Sequence, residues 1–534
     1  MARLAVLSAS KDRRLEPPAM ARESNPIHDM LRTSQKQAGN GARAASHQLT
    51  SMVCPFIAAL GLLVSGCSIR SAALSESSRD PVAERARESQ SQHPAGVRID
   101  WWLSSEDGAN RLSPQPELQF RGSPPPGRGN IQIDEATAYQ TVLGLGSSLE
   151  HSTCYNLNLL PPAQREKVIE SLVHPERGIG MNLMRLCIGT SDFAPGPFYT
   201  YDDMPPGEED PGLERFSINR DREYVLPVIK LAQRSNPNLK FVASPWTPPP
   251  WMKTNGRYGG GRLRRECYPV FAEYLVRFIE AYRQEGIPIH ALTIQNEPEF
   301  GPEAYPTCLW TALEQRDFIR HHLGPLFRTR GIDTAIWIFD HNFNNPGFPA
   351  TILRDPLAAP FVGGSAFHLY EGRPEAMSRL HRQFPDKTIH FTEGSVYGAK
   401  GAAEIISYFR NWAGSYNAWV TLIDHQGKPN VSGFHDCDPT IIVLNRDTLE
   451  TQYRADYYLY GQFMKFIPPG AVRIATHLPR GALPNVAFRN PDGGLVLVAA
   501  NPQANPRPLS FSWRGTVAGT VLPPRSAATF RWMP

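Results

Sequence analysis

The chain of 534 residues lacks several signatures, and each absence removes a class of function. It has no long block of lysine and arginine: "RLRRE" at 262–266 is short, opens a helical pattern and reads as a solvated face. With a net charge of only +4, nucleic acid is not expected as a partner. The seven cysteines, at 54, 67, 154, 187, 267, 308 and 437, include no C-x-x-C pair. That excludes a zinc ribbon and a dense disulfide framework, and leaves room for one or two bridges. No G-x-S-x-G occurs, so no serine nucleophile elbow is present. "GLGSSL" at 144–149 has leucine where a dinucleotide-binding loop needs its third glycine. "FHDCD" at 434–438 offers His435, Asp436, Cys437 and Asp438, but neighbours in sequence cannot all turn to one ion. Neither a metal nor an organic cofactor is expected.

What is present begins unevenly. Residues 1–51 are polar, mixed in charge and aperiodic, and read as an extension outside the fold. "MVCPFIAALGLLVSGCS" at 52–68 holds an apolar run of about a dozen residues, short of the roughly 20 that span a bilayer. It suits the apolar core of an export signal. Its end, Leu63-Val64-Ser65-Gly66-Cys67, resembles a bacterial lipoprotein signal, which implies lipidation at Cys67 and a mature chain starting there. With 51 residues ahead of it, translation from Met30 or Met52 fits that reading. Residues 68–97, rich in Ser, Arg and Glu, read as a disordered tether. The expectation is an exported protein that meets membrane only through a lipid on Cys67.

From about residue 135 to 470, short β-rich runs alternate with amphipathic helical runs. The expected strands are 141–148, 181–188, 239–246, 290–297, 334–341, 364–370, 388–393 and 418–424. Between the third and fourth, Phe271, Tyr274, Leu275, Phe278 and Tyr282 line one face of a helix over 266–285. Eight such units predict an α/β fold, a (β/α)8 barrel. A doubly wound sheet is the other arrangement of this alternation. After 470 the chain turns to short strands with Pro, Gly and Asn turns, the pattern of a small β-sandwich over 471–534. The extended segment 98–134 is expected to add strands to it, so the sandwich draws on both chain ends.

In such a barrel the loops after the strands build the pocket. Glu297, in "ALTIQNEPEF", falls at the end of the fourth strand, and Glu393, in "HFTEGS", at the end of the seventh. Two opposed carboxylates are what glycoside hydrolysis requires: one protonates the leaving oxygen, the other attacks the anomeric carbon or activates water. Asn296 supplies a neutral amide beside the first. Trp246 and Trp251 follow the third strand in "SPWTPPPWMKTNG", His368 and Tyr370 lie on the sixth, and Trp419 on the eighth. Aromatic rings at strand ends make platforms for the apolar face of a sugar. Each carboxylate alone also suits a salt bridge, and each ring alone suits the core. A binder of glycans, without catalysis, is the competing function, but a binder has no use for two opposed carboxylates.

"SPWTPPPWMKTNG", "IQNEPE", "FHLY", "FTEGS" and "GQFMKFIPPG" together resemble glycoside hydrolase family 30, which includes glucosylceramidases and β-1,6-glucanases. The resemblance covers roughly 130–534. It implies a barrel fused to a β-sandwich and a retaining mechanism, with Glu297 as acid/base and Glu393 as nucleophile. It implies sugar contacts at Trp246, Asn296, His368, Tyr370, Trp419 and Asn430. Where glucosylceramidases carry Gly-Gly-Ala-Met-Thr-Asp, this chain has "GSSLEH", so Glu150 or His151 is expected to replace that aspartate. The implied partner is a β-linked glycan or glycolipid, and the departure favours a microbial β-glycan at least as much as ceramide.

Overall fold

The computed structural model describes residues 96–122, 129–433 and 440–534. Residues 1–51, the segment 52–67 with Cys67, nearly all of the tether over 68–97, and 434–438 lie outside the described residues. No described helix is long and apolar enough to cross a membrane.

Eight parallel strands form the central sheet: β1 (Gly144–Gly146), β2 (Leu183–Ile188), β3 (Lys240–Pro245), β4 (Ile289–Thr293), β5 (Ala335–Asn342), β6 (Val362–His368), β7 (Thr388–Glu393) and β8 (Ala413–Asn417). From β2 to β8 each pairs with its neighbour in sequence, and β8 pairs back onto β1. The seam between β1 and β2 is closed by two backbone bonds of 2.9 Å, Arg185 N–H to Ser147 O and Leu149 N–H to Arg185 O. Glycine at 146 makes that seam possible: a Cβ there would sit 1.9 Å from the carbonyl oxygen of Leu183. The sheet is therefore a barrel, and the doubly wound alternative is excluded.

Helices cover the outside, held by their apolar faces. In the helix Tyr268–Gln284, the expected stripe of Phe271, Tyr274, Leu275, Phe278 and Tyr282 is fully buried. One polar group is packed into this layer: Asp221 accepts from the phenols of Tyr199, Tyr201 and Tyr282 at 2.5–2.6 Å. Three donors satisfy a carboxylate that water cannot reach. The four described cysteines, Cys154, Cys187, Cys267 and Cys308, are buried free thiols.

The second layer is a sandwich of mostly antiparallel strands. Arg98–Ser105 pairs with Ser526–Trp532, placing Trp101 opposite Phe530. Asn130–Thr141 lies between Val472–His477 and Arg507–Trp513. The N-terminal contribution thus runs to Thr141, beyond the expected 134, and Thr516–Leu522 adds a strand the sequence pattern did not suggest. Barrel and sandwich meet through Phe409 packed edge-on against Phe488, and through Thr529 donating to Gln462 Oε1 at 2.7 Å.

Two barrel strands differ from expectation. The first is only three residues long, because Thr141 still belongs to the sandwich and Val142 pairs with Gly470 and Ala471. The eighth is Ala413–Asn417, not 418–424. "AGSYN" is small and polar, so it carries little strand signal, yet every one of its residues is buried. The apolar run after it makes a separate three-stranded sheet, in which Leu422–Asp424 pairs with Ile442–Leu444. Trp419 consequently sits past the end of β8, on the loop side of the barrel.

Candidate active site

Arg185 lies at the centre, fully buried on β2. Its guanidinium donates to Glu393 Oε2 at 2.5 Å, Asn296 Oδ1 at 2.7 Å, Asp340 Oδ2 at 2.9 Å and Ser244 Oγ at 3.2 Å. Burial alone would lower its pKa, but Asp340 and then Glu393 outweigh that and push it further up. The same group lies 4.9 Å from the ring of Trp246 and 5.5 Å from that of Trp419. Those two rings stack at 5.0 Å, with 21° between their planes.

Asp340 reaches Arg185 because β5 is bulged. Phe339 and Asp340 both have positive φ, 75° and 58°, and the register with β6 shifts there. The bulge turns Asp340 into the barrel. There Oδ2 accepts from Ser244 and Thr293 as well as Arg185, and Oδ1 from Thr392. Oδ1 also faces His368 Nε2 at 3.0 Å. Burial would raise this carboxyl, but Arg185 and then His368 hold it well below the usual range.

Glu393 ends β7, 4% exposed. Besides Arg185 it accepts from the Tyr370 hydroxyl at 2.8 Å. Burial of that hydroxyl, and then Glu393, push Tyr370 well up, so it remains a donor. Glu297 lies four residues beyond β4 and not on it. It has a left-handed φ of 49° and a backbone N–H bonded to Asp340 O at 3.0 Å. A side chain held in that conformation without being glycine is the kind of local strain that surrounding structure must enforce. Gln295 in the same stretch is structural, its amide donating to the carbonyl of Trp246 at 2.6 Å.

One imidazole nitrogen measures the spacing of the carboxylates. Nδ1 of His368 lies 3.4 Å from Glu297 Oε1 and 3.9 Å from Glu393 Oε1. Burial alone would lower His368, but Glu393, then Asp340 and Glu297, push it up to about 9. Burial alone would raise Glu297, and the imidazoles of His341 and His368 outweigh it and hold it down to about 2.

The carboxylates line a cavity of about 410 Å³, within the range of small-ligand sites. Trp246, Trp419 and Phe193 form an apolar wall with Tyr305. Phe300, Tyr370 and Tyr397, each more than a third exposed, stand at its mouth. Asn296 lines it too, with its carbonyl oxygen committed to Arg185, which leaves the NH2 as donor toward the cavity. Asp192 is a wall residue that sequence reasoning passed over. Burial, then Glu393 and Glu297, push its carboxyl well up.

Several sequence-predicted contacts fall elsewhere. Glu150 is fully buried; it caps the helix His151–Leu159 by accepting from Thr153 N–H at 2.8 Å, and also accepts from Ser148 Oγ. His151 bonds the Tyr199 hydroxyl at 2.9 Å, beside Asp221. Neither lines the cavity, because the helix starts immediately after β1 and draws both into its first turn. His368 lies beneath Glu297 and not at the cavity wall. Asn430 is buried and accepts from Ser432 at 2.6 Å, outside the lining set. Trp251 donates to Asp202 and packs on the barrel's flank.

A family model described as the glycosyl hydrolase family 30 TIM-barrel domain matches residues 142–467, and that of the family 30 β-sandwich domain matches 470–530. An endo-1,6-β-D-glucanase of Neurospora crassa is 31% identical over 436 residues, 77% of this chain and 90% of the relative. Mouse lysosomal acid glucosylceramidase is 31% identical over 435 residues, 75% of this chain and 83% of its own. Among solved structures, the endo-β1,6-glucanase BT3312 superposes with a TM-score of 0.73 at 28% identity, over 82% of this chain and all of that one. With both layers of the fold matched in order, the chain belongs to glycosyl hydrolase family 30.

Proposed function

We propose that the chain is a retaining β-glycosidase acting by double displacement, with a β-1,6-linked glucan as its first candidate substrate. The observation that carries this is the pair Glu297 and Glu393, both within 4 Å of one nitrogen of His368 at the floor of an aromatic cavity. Glu393, held between Arg185 and Tyr370, attacks the anomeric carbon. The glycosidic oxygen departs with a proton from Glu297, leaving a glycosyl ester on Glu393. Glu297 then takes a proton from water, which attacks the same carbon and frees Glu393, so the configuration is retained.

The proton Glu297 delivers is stored beside it, on Nδ1 of His368. A sugar that fills the cavity excludes water from Glu297 and raises its proton affinity, drawing the proton across before the bond breaks. The Asn296 NH2 is placed for a sugar hydroxyl next to the reacting carbon. Stacked Trp246 and Trp419 serve the ring's apolar face, and Asp192 hydrogen-bonds a hydroxyl on the far side.

β-1,6-Glucan is favoured by the glucanase relatives; glucosylceramide is the second substrate, on the strength of the mouse relative. Protein beginning at residue 98 should cleave one member of a panel holding β-1,6-glucan, glucosylceramide and aryl β-glucoside, β-xyloside and β-fucoside. Anomeric configuration, read by proton NMR in the first minutes, should be β. An α product would overturn the retaining reading, and silence from folded protein on every member would overturn the hydrolase.

Export rests on residues 52–67 alone. Cells expressing the full chain should incorporate labelled palmitate into it, and Cys67→Ser should abolish incorporation. Equal labelling of the two would remove the anchor.

A further inference from the structure

We propose that Glu297, His341 and His368 form an inhibitory site for a divalent cation of the zinc class, built from the loop after β4 and from β5 and β6. The inhibition rests on the reading of Glu297 as acid/base; the binding does not.

No sequence spacing reveals this site, because its ligands come from the loop after β4, from β5 and from β6. One ligand atom from each lies within 4.8 Å of the others. Oε1 of Glu297 is 3.4 Å from His368 Nδ1 and 3.6 Å from His341 Nδ1. Two ligands of a tetrahedral zinc, each bound at 2.0–2.1 Å, stand roughly 3.4 Å apart. The two carboxylate–imidazole spacings therefore already match those of a zinc first shell.

Two further observations point to a cation. Nδ1 of His341 is buried and makes no hydrogen bond, although the residue is only 6% exposed; 3.6 Å is beyond bonding reach of Glu297. A ring nitrogen left without a donor or acceptor partner, aimed at a carboxylate, is what a metal would satisfy. Behind the site, His368 Nε2 faces Asp340 at 3.0 Å, the carboxylate–imidazole arrangement that orients metal-bound histidines. Asp340, in turn, is fixed by Arg185.

Charge favours the same ion. The carboxylates of Asp340, Glu297 and Glu393 cluster about one guanidinium, Arg185, so the surroundings favour a cation, which would take the place of any proton on the imidazoles. Two imidazoles and one carboxylate suit zinc and exclude magnesium or calcium, which take oxygen ligands. The fourth position opens on the cavity, which Glu297 and His341 both line. A zinc ion there would hold the oxygen of Glu297 that must give and take the proton.

The test uses chelator-stripped full-length protein titrated with zinc in a calorimeter, and with cobalt, whose visible bands report imidazole ligation without any substrate. We expect one site per chain, weakened at least about 10-fold in both His341→Ala and Glu297→Gln. Hydrolysis should fall with the same zinc dependence. His341→Gln, close in size to histidine, serves as the second variant should His341→Ala fail to fold. No saturable binding below about 1 mM zinc, or binding unchanged in the folded variants, would overturn the site. Zinc bound by these residues with turnover undiminished would overturn its inhibitory role. If cobalt and zinc bind as described and no glycoside is cleaved, the hydrolase reading fails alone. If glycoside is cleaved and no metal binds, the metal site fails alone.

Discussion

Glu393→Gln should lower kcat by about 10⁴-fold or more while leaving the fold and sugar binding in place. The amide keeps the shape of the carboxylate and still accepts from Arg185, but it cannot attack the anomeric carbon. Its effect separates attack from all other contributions, since Glu297, Asn296 and the tryptophan pair are untouched. Addition of azide to the smaller Glu393→Gly should restore cleavage. The anion occupies the vacated side of the ring and displaces the leaving group once, so the product should be the α-glycosyl azide. Residual activity within about 10-fold of wild type in the glutamine variant would remove Glu393 as nucleophile. A β-glycosyl azide from the glycine variant would exchange the roles of the two carboxylates.

Asp340→Ala should destabilise the protein by about 3–5 kcal/mol. The carboxylate sits in a fully buried cluster, and its loss leaves the Arg185 charge half-compensated and His368 Nε2 without its acceptor. Asp340→Asn keeps the hydrogen-bonding shape and should recover most of that stability. It should not recover turnover. Without the negative charge His368 holds its proton less firmly and Arg185 is drawn toward Glu393, so kcat should stay depressed by about 10²–10⁴-fold. Thermal unfolding and kinetics on the two variants decide this. Parallel recovery of stability and kcat in Asp340→Asn would reduce Asp340 to a packing role.

The contrast between Glu297 and Asp340 shows what a sequence makes legible. Glu297 and Glu393 stand where a β-rich run gives way to a loop, and barrel geometry alone sends such positions into one bowl. Arg185 and Asp340 lie inside runs that otherwise read as apolar strands, "MNLMRLCI" and "TAIWIFDH". A lone charge in such a run was the available signal, since it must find a buried partner. Which partner it finds depends on the bulge at Phe339–Asp340, and no local pattern announces that bulge. Asp192 gave no signal at all, because its loop carries no periodicity. Glu150 and His151 were misplaced for a related reason: aligning them with a sugar-binding aspartate overlooked a glutamate already positioned to cap the helix behind it.

The eighth strand failed through composition. "AGSYN" packs into the barrel because small side chains fit the narrow seam beside Gly144–Gly146, where Asn417 donates to the Leu183 carbonyl at 2.7 Å. Strand propensity rewards bulk and branching, so the pattern points to the next apolar run. The barrel as a whole was readable because seven of its strands had no such constraint.

The pairing of Trp101 with Phe530 has a bearing on how the molecule comes into being. At ribosomal speeds of about 5–20 residues per second, the strand Arg98–Ser105 waits roughly 20 to 90 s for its partner to be made. Throughout that interval Ile99, Trp101 and Leu103 lack the strand Ser526–Trp532, whereas the barrel strands, from Gly144 to Asn417, are all made before it. The order of assembly follows: barrel first, then a clasp of two distant ends closed last. A ribosome that stalls near the end would therefore release a finished catalytic cup carrying an open, adhesive edge.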